Sequence, residues 1–171
     1  MKASSTLTRP APRKLAGETG PAAELARGLA GVLADTYSVY LLTQNYHWNV
    51  EGPHFAEYHA LFNKQYDELA GAVDELAEAI RSMGYYAPGT FAEFSELASV
   101  KQPSDNPDAV EMVRRLHDAH DQVLRRIGDV LPLSEAEGFE WVNDLLVQRQ
   151  DAHGKVRWML RATLGKGSQR L

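Results

Sequence analysis

The sequence contains no cysteine. That one absence removes disulfides, zinc–thiolate sites and iron–sulfur ligation together. An excess of basic charge is missing too: the formal net charge is −5, so no global positive field draws in nucleic acid. No apolar run approaches the roughly 18 residues of a membrane span. The first residues lack the apolar core of a signal peptide, so export by that route is not expected. Neither an alternating strand pattern nor a nucleotide-binding glycine motif appears. What is present is a chain of 171 residues, long enough for one domain with a sizeable core. Its 44% hydrophobic and 24% charged residues fit a soluble globular fold.

Charge is unevenly placed. Residues 1–20 carry Lys2, Arg9, Arg13 and Lys14 against a single acid, Glu18, and include Pro10, Pro12, Gly17 and Gly20. They show no hydrophobic period and read as a flexible basic tail. Residues 166–171 form a second, shorter basic tail. Between them, over 21–165, helical periodicity is continuous enough to predict four long helices at about 21–50, 54–83, 107–131 and 135–164, with a short amphipathic helix near 90–100. Pro21 suits a first helical turn. Gly52-Pro53 breaks the chain between the first two helices. The second carries Phe55, His59, Phe62, Tyr66, Leu69, Val73, Leu76, Ile80 and Met83 at alternating spacings of four and three, the seam of a helical bundle. Pro132 is expected to end the third helix, and Ser134-Glu135-Ala136-Glu137 resembles a capping box opening the fourth. The long connection over 85–105 lets the second and third long helices run parallel, as in ferritin-like bundles.

The chemistry concentrates between Tyr46 and Gly84. His47 and His59 flank the hairpin, and Asp74 and Glu78 stand one helical turn apart. Imidazole and carboxylate without thiolate suit Fe, Mn or Zn. Taken singly, each feature has a plainer explanation: an acidic pair is more often a solvated face, and a histidine on an apolar stripe a packed core residue. Geometry sharpens the combination. A short hairpin brings His47 and His59 together. Asp74 lies fifteen residues beyond His59 on the same helix, about 22 Å at ~1.5 Å per residue. The histidines and carboxylates of one chain therefore cannot share an ion, and meet only if this helix packs antiparallel on its copy in a second chain.

HWNVEGPHF from His47, with His59 following, then DELAE from Asp74 to Glu78, then RSMG to Gly84, and KVRWMLR from Lys155 to Arg161 together resemble the Dps family, the mini-ferritins or DNA-binding proteins from starved cells. The resemblance spans about residues 22–165. It implies an all-α, ferritin-like four-helix bundle with a short helix in the crossover, assembled into a hollow dodecameric shell. It further implies ferroxidase centres at two-fold interfaces, with His47 and His59 from one subunit and Asp74 and Glu78 from the other. Fe(II) would be the substrate, oxidised preferably with hydrogen peroxide and stored as Fe(III) mineral, which protects DNA from oxidative damage. Zn or Mn are alternative occupants of the same donors. Trp48 matches the tryptophan beside the family's iron centre.

One departure from the pattern stands at Asn63, where the family usually carries Asp or Glu. A neutral amide oxygen is a weaker ligand, so one firm iron position and one weak one are expected. A shell that compacts DNA and has only weak ferroxidase activity is the alternative function. The family lines its three-fold pores with acids near the start of the last helix, where Asp144 is the first candidate, followed by Glu140 and Glu137. As N-terminal helix acids these are equally well explained by the helix dipole. Many copies of a tail bearing Lys2, Arg9, Arg13 and Lys14 would bind phosphates multivalently. His117 reads as a surface residue and His120 as a packed one. A cytoplasmic, nucleoid-associated location is the corresponding expectation, with no membrane partner.

Overall fold

The computed structural model describes residues 14–136 and 138–165. Four long helices, α1 (Pro21–Asn49), α2 (Phe55–Ser82), α4 (Ala109–Ala136) and α5 (Glu140–Leu164), form an antiparallel bundle, and the short α3 (Phe91–Leu97) lies in the crossover. The contacts give the directions. His47 meets His59 across the α1–α2 hairpin. Gly28 faces Val130 and Gly31 faces Arg126, so α4 also runs antiparallel to α1. The second and third long helices are therefore parallel, which only a long crossover permits. Helix α5 turns back on α4, placing His153 against His120.

The core follows the sequence periodicity. Leu25, Leu29, Leu33 and Val39 of α1, Phe62, Leu69, Leu76 and Ile80 of α2, Leu116, Val123 and Ile127 of α4, and Leu146 and Leu160 of α5 are fully buried. Helix α1 is buried along most of its circumference, since Ala34, Asp35, Thr36 and Val39 all lie inside. A helix apolar on more than one side is held between neighbours, here α2, α4 and α3.

Several boundaries differ from the sequence reading; the last long helix begins at Glu140 rather than near residue 135, because α4 runs on through Ala136. Helix α4 does not stop at Pro132 but continues to Ala136. Val130 and Ser134, on either side of the proline, are buried, and Leu131 and Leu133 pack against the core. That burial outweighs the roughly 3 kcal/mol a mid-helix proline costs. Ser134 is accordingly not a cap: its hydroxyl donates to the Leu131 carbonyl at 2.7 Å and accepts from Asn143 at 3.2 Å. The capping box is instead at the crossover, where Thr90 accepts from the Glu93 amide and the Glu93 carboxylate accepts from the Thr90 amide. Finally, from Lys14 the chain already lies against the body. Leu15 packs on the core, and Arg27 donates to the Glu18 carbonyl at 2.9 Å. An apolar side chain at 15 has surface to bury, which a purely polar tail would not.

One buried carboxylate fixes the crossover. Asp35, fully buried in α1, accepts from the Ser99 amide (2.5 Å), the Ser99 hydroxyl (2.8 Å) and the Val100 amide (3.0 Å), and pairs with Arg126 of α4 at 2.6 Å. These bonds explain why α3 ends at Leu97 rather than near residue 100. Ala98 turns extended (ψ 134°) so that the next two amides point at Asp35 instead of continuing the helix. Arg126 reaches the carboxylate only because residue 31 is glycine: a Cβ there would lie 1.9 Å from the guanidinium. A second polar group lies between α4 and α5. His120 and His153 are both buried, with their Nδ1 atoms 2.8 Å apart. One Nδ1 must donate and the other accept, so the two rings hold opposite tautomers. Burial pushes His120 down to about 3, aided by the charge of Arg149, and pushes His153 well below its ordinary range.

Two outcomes follow. Asp35→Ala leaves Arg126 unpaired and two amides without acceptors, and should cost about 3–5 kcal/mol in guanidinium unfolding. An unchanged midpoint would show that the crossover is held otherwise. Unfolded histidines titrate near 6.5, so below that pH the unfolded chain takes up protons that folded His120 and His153 refuse. Their contribution is complete above about pH 6.5 and declines as the pH falls, by up to ~1.4 kcal/mol per pH unit for each ring, until the folded rings also take up protons, at about pH 3 for His120. Stability of a His120→Leu/His153→Leu variant should therefore fall less steeply between pH 6.5 and 4 than that of the wild type.

Candidate metal centre

The loop between α1 and α2 is short, and Gly52 adopts φ 108°, a conformation that L side chains rarely adopt. The tight turn sets the end of α1 beside the first turns of α2. There His47 and His59 stack, with ring centroids 3.7 Å apart and planes inclined by 24°. Each imidazole bonds the other's backbone: His47 Nδ1 lies 2.9 Å from the His59 carbonyl, and His59 Nδ1 lies 2.9 Å from the His47 carbonyl. A carbonyl oxygen only accepts, so both Nδ1 atoms carry the proton. In a neutral ring the Nε2 lone pair is then free on both histidines, which is the state a metal ligand needs. The bond to His47 O also satisfies one of the orphan carbonyls in the last turn of α1. His47 is buried and His59 half-buried, with Phe55 5.0 Å from the His59 ring.

The remaining predicted residues divide clearly. Asp74 and Glu78 are exposed on one side of α2, and among the described residues neither takes part in an ion pair or a side-chain hydrogen bond. They are not brought to the histidines. No group of three or more His, Cys, Asp or Glu able to hold a metal exists among the described residues of one chain. Trp48, next to His47 in sequence, is 63% exposed, and Phe55, whose ring lies 5.0 Å from that of His59, is 46% exposed. Asn63 is engaged on both sides: its Oδ1 accepts from the Tyr66 hydroxyl at 2.9 Å and its Nδ2 donates to Asp67 at 2.7 Å. Tyr66, whose ring meets His47 edge-on at 5.1 Å, is a neighbour that the sequence reading left on the bundle seam. Its position three residues after Asn63 and seven after His59 was the available signal.

Glu140 and Asp144 are exposed on the first turns of α5, and Glu137 lies outside the described residues. Lys14 is exposed, whereas Lys2, Arg9 and Arg13 also lie outside them. His117 contacts Asp118 at 2.9 Å. His120 is buried, and its partner His153 went unnoticed in the sequence because thirty-three residues separate them. Cavities of about 560 Å³ and 730 Å³ lie along the crossover and beside α3, and neither includes His47 or His59. No helix among the described residues is long and apolar enough to cross a membrane.

The fold has known relatives. The Ferritin family model, a ferritin-like domain, matches residues 27–169. A low temperature-induced protein (all0458) of Nostoc sp. is 35% identical over 132 residues, 76% of this chain and 74% of that protein. The DNA protection during starvation protein of Porphyromonas gingivalis is 30% identical over 140 residues, 82% of this chain and 88% of that protein. The crystal structure of the Dps protein from Vibrio cholerae O1, described as a member of a broad superfamily of ferritin-like diiron-carboxylate proteins, superposes with a TM-score of 0.81. It is 31% identical and covers 84% of this chain and 91% of that one. With its four-helix bundle, its extra crossover helix and these relatives, the chain belongs to the Dps family within the ferritin-like superfamily.

Proposed function

We propose that this protein oxidises Fe(II), with hydrogen peroxide as the oxidant, at sites shared between two copies of the chain, and stores the Fe(III) product as mineral inside a dodecameric shell. One observation carries the proposal. His47 and His59 are locked with both Nε2 lone pairs free, while the carboxylates that would complete a site stand about 22 Å further along the same helix. Antiparallel pairing of two α2 helices about a dyad near residues 66–67 sets position 59 opposite 74 and 63 opposite 70. Small residues are wanted beside that contact, and Ala70 and Gly71 are there, with open space around Gly71. The exposed Trp48 and Phe55 become the covered rim.

At each site His47 and His59 bind Fe(II) as substrate together with Asp74 and Glu78 of the second copy, and the carboxylates offset the charge gained as Fe(III) forms. Two Fe(II) give two electrons to one peroxide, which takes up two protons and leaves as two waters. No hydroxyl radical is released, and this protects DNA. Asn63, a neutral ligand already shared between Tyr66 and Asp67, makes the second iron position the weaker one. Zn or Mn would compete for the same donors. We place Fe(II) entry at three-fold pores lined by Asp144, with Glu140 and Glu137 contributing, and the protein in the cytoplasm at the nucleoid.

Optical assays of Fe(II) oxidation should show peroxide outpacing oxygen in the wild type and at least a roughly tenfold loss in Asp74→Ala. In anaerobic titration Asn63→Asp should tighten the second Fe(II). If Asp74→Ala oxidises iron like the wild type, the shared site is wrong.

A second reading, a DNA-compacting shell, is favoured by one feature: the four basic residues Lys2, Arg9, Arg13 and Lys14 on an otherwise acidic protein. Repeated on every subunit, they supply multivalent phosphate contacts. Gel shifts across a salt series should then show binding that weakens steeply with salt and disappears when residues 1–20 are deleted. Equal binding by the truncated protein would dismiss the tail.

A further inference from the structure

A continuous line of aromatic contacts leads away from the histidine pair. His47 meets Tyr66 at 5.1 Å, Tyr66 meets Tyr40 at 6.3 Å, and Tyr40 meets Tyr37 at 5.7 Å. Tyr37 then stacks on Phe94 at 4.6 Å and touches Phe91 edge-on at 6.3 Å, where the line reaches the crossover helix. The three phenols are half-buried. Packing between the helices needs only the rings, and phenylalanine would supply them, as Phe91 and Phe94 of α3 do against Tyr37. What the hydroxyls add is oxidisability: a phenol loses an electron and a proton far more readily than a phenyl ring. Two of the hydroxyls are held in place. Tyr66 donates to Asn63 at 2.9 Å, and Tyr40 accepts from Gln44 at 3.2 Å.

Resting on the iron-oxidising reading above, we propose that Tyr66, Tyr40 and Tyr37 form an electron relay that gives peroxide its second electron when only one Fe(II) occupies the site. Peroxide must take two electrons to reach water. One Fe(II) supplies one, and a peroxide reduced by one electron alone splits into hydroxide and hydroxyl radical. Asn63 makes that singly loaded state the common one. With the relay, one Fe(II), one tyrosine, one peroxide and one proton become one Fe(III), one tyrosyl radical and two waters. The second proton that peroxide needs comes from the phenol. A later Fe(II), with one proton from solvent, reduces the radical back to tyrosine, so two Fe(II) are still consumed per peroxide. Ring contacts from His47 to Tyr37 let the oxidising equivalent leave Tyr66 along α1 and wait for that second ion. Tyr66 acts through His47 and does not touch the iron, so it is a relay residue rather than a ligand.

The test uses the full-length assembled protein, loaded anaerobically with one Fe(II) per site, mixed with one equivalent of hydrogen peroxide and frozen for electron paramagnetic resonance. A tyrosyl radical is expected in the wild type, identified by collapse of its hyperfine structure in protein made with ring-deuterated tyrosine. Tyr66→Phe keeps the ring and the packing. It should bind the first Fe(II) as the wild type does, lose most of the radical signal, and release severalfold more hydroxyl radical to a spin trap. When both proteins are instead given two Fe(II) per site, Asn63→Asp should yield less tyrosyl radical than the wild type, by holding the second Fe(II). Wild-type protein that oxidises Fe(II) without a tyrosyl signal overturns the relay and leaves the iron site standing. So does a Tyr66→Phe variant with unchanged radical and spin-adduct yields. Wild-type protein that neither binds nor oxidises Fe(II) overturns the site and the relay together.

Discussion

Two hydrogen bonds between His47 and His59 organise the functional end of this bundle. Each ring gives its Nδ1 proton to the other's backbone carbonyl at 2.9 Å, so neither ring can rotate or change tautomer without breaking a bond to the opposite helix. The pair therefore joins α1 to α2 and fixes the tautomer of both neutral imidazoles. In metal sites a second group usually has to orient each histidine; here the two orient one another. The tight turn at Gly52 makes this reciprocity feasible by holding the two helix ends at a fixed separation.

The long α2 then imposes the second constraint. A rigid helix of 28 residues separates histidines at one end from carboxylates beyond its middle. No side-chain rotation spans about 22 Å. A metal centre built from both the histidines and the carboxylates would have to be intermolecular, which is why the proposed site makes α2 the segment that pairs with its copy. Folding of the single chain leaves Asp74 and Glu78 exposed on α2 and the exposed Phe55 against the ring of His59.

Much of this was legible in the sequence because it rests on local rules. The bundle seam of α2, the break at Gly52-Pro53 and the spacing from His59 to Asp74 are fixed by helical period and rise. What was not legible depends on tertiary contact. Pro132 reads as a stop, but burial around Val130 and Ser134 carries the helix past it. Ser134 reads as a cap because the S-x-x-E pattern is short, whereas the box formed where Thr90 met Glu93 in the crossover. Asp35 gives no sequence signal at all: its partners Ser99 and Val100 lie more than sixty residues away. His153 and Tyr66 are similar cases, ordinary helix residues until a neighbour is placed against them.

Asn63 links these points. Its side chain has both an acceptor and a donor, and it uses the acceptor for Tyr66 and the donor for Asp67. An aspartate at 63 could still accept from Tyr66, but it could not donate to Asp67, and two carboxylates one turn apart repel each other. The amide thus suits the phenol and the acid on either side better than the carboxylate that the family pattern carries there. Lost charge at the proposed second iron position and a fixed tyrosine beside His47 are two results of the same residue. In the proposed site, one firmly held Fe(II) needs another source for the second electron of peroxide, and the residue proposed to weaken the second iron position is the one hydrogen-bonded to Tyr66, the oxidisable ring beside His47.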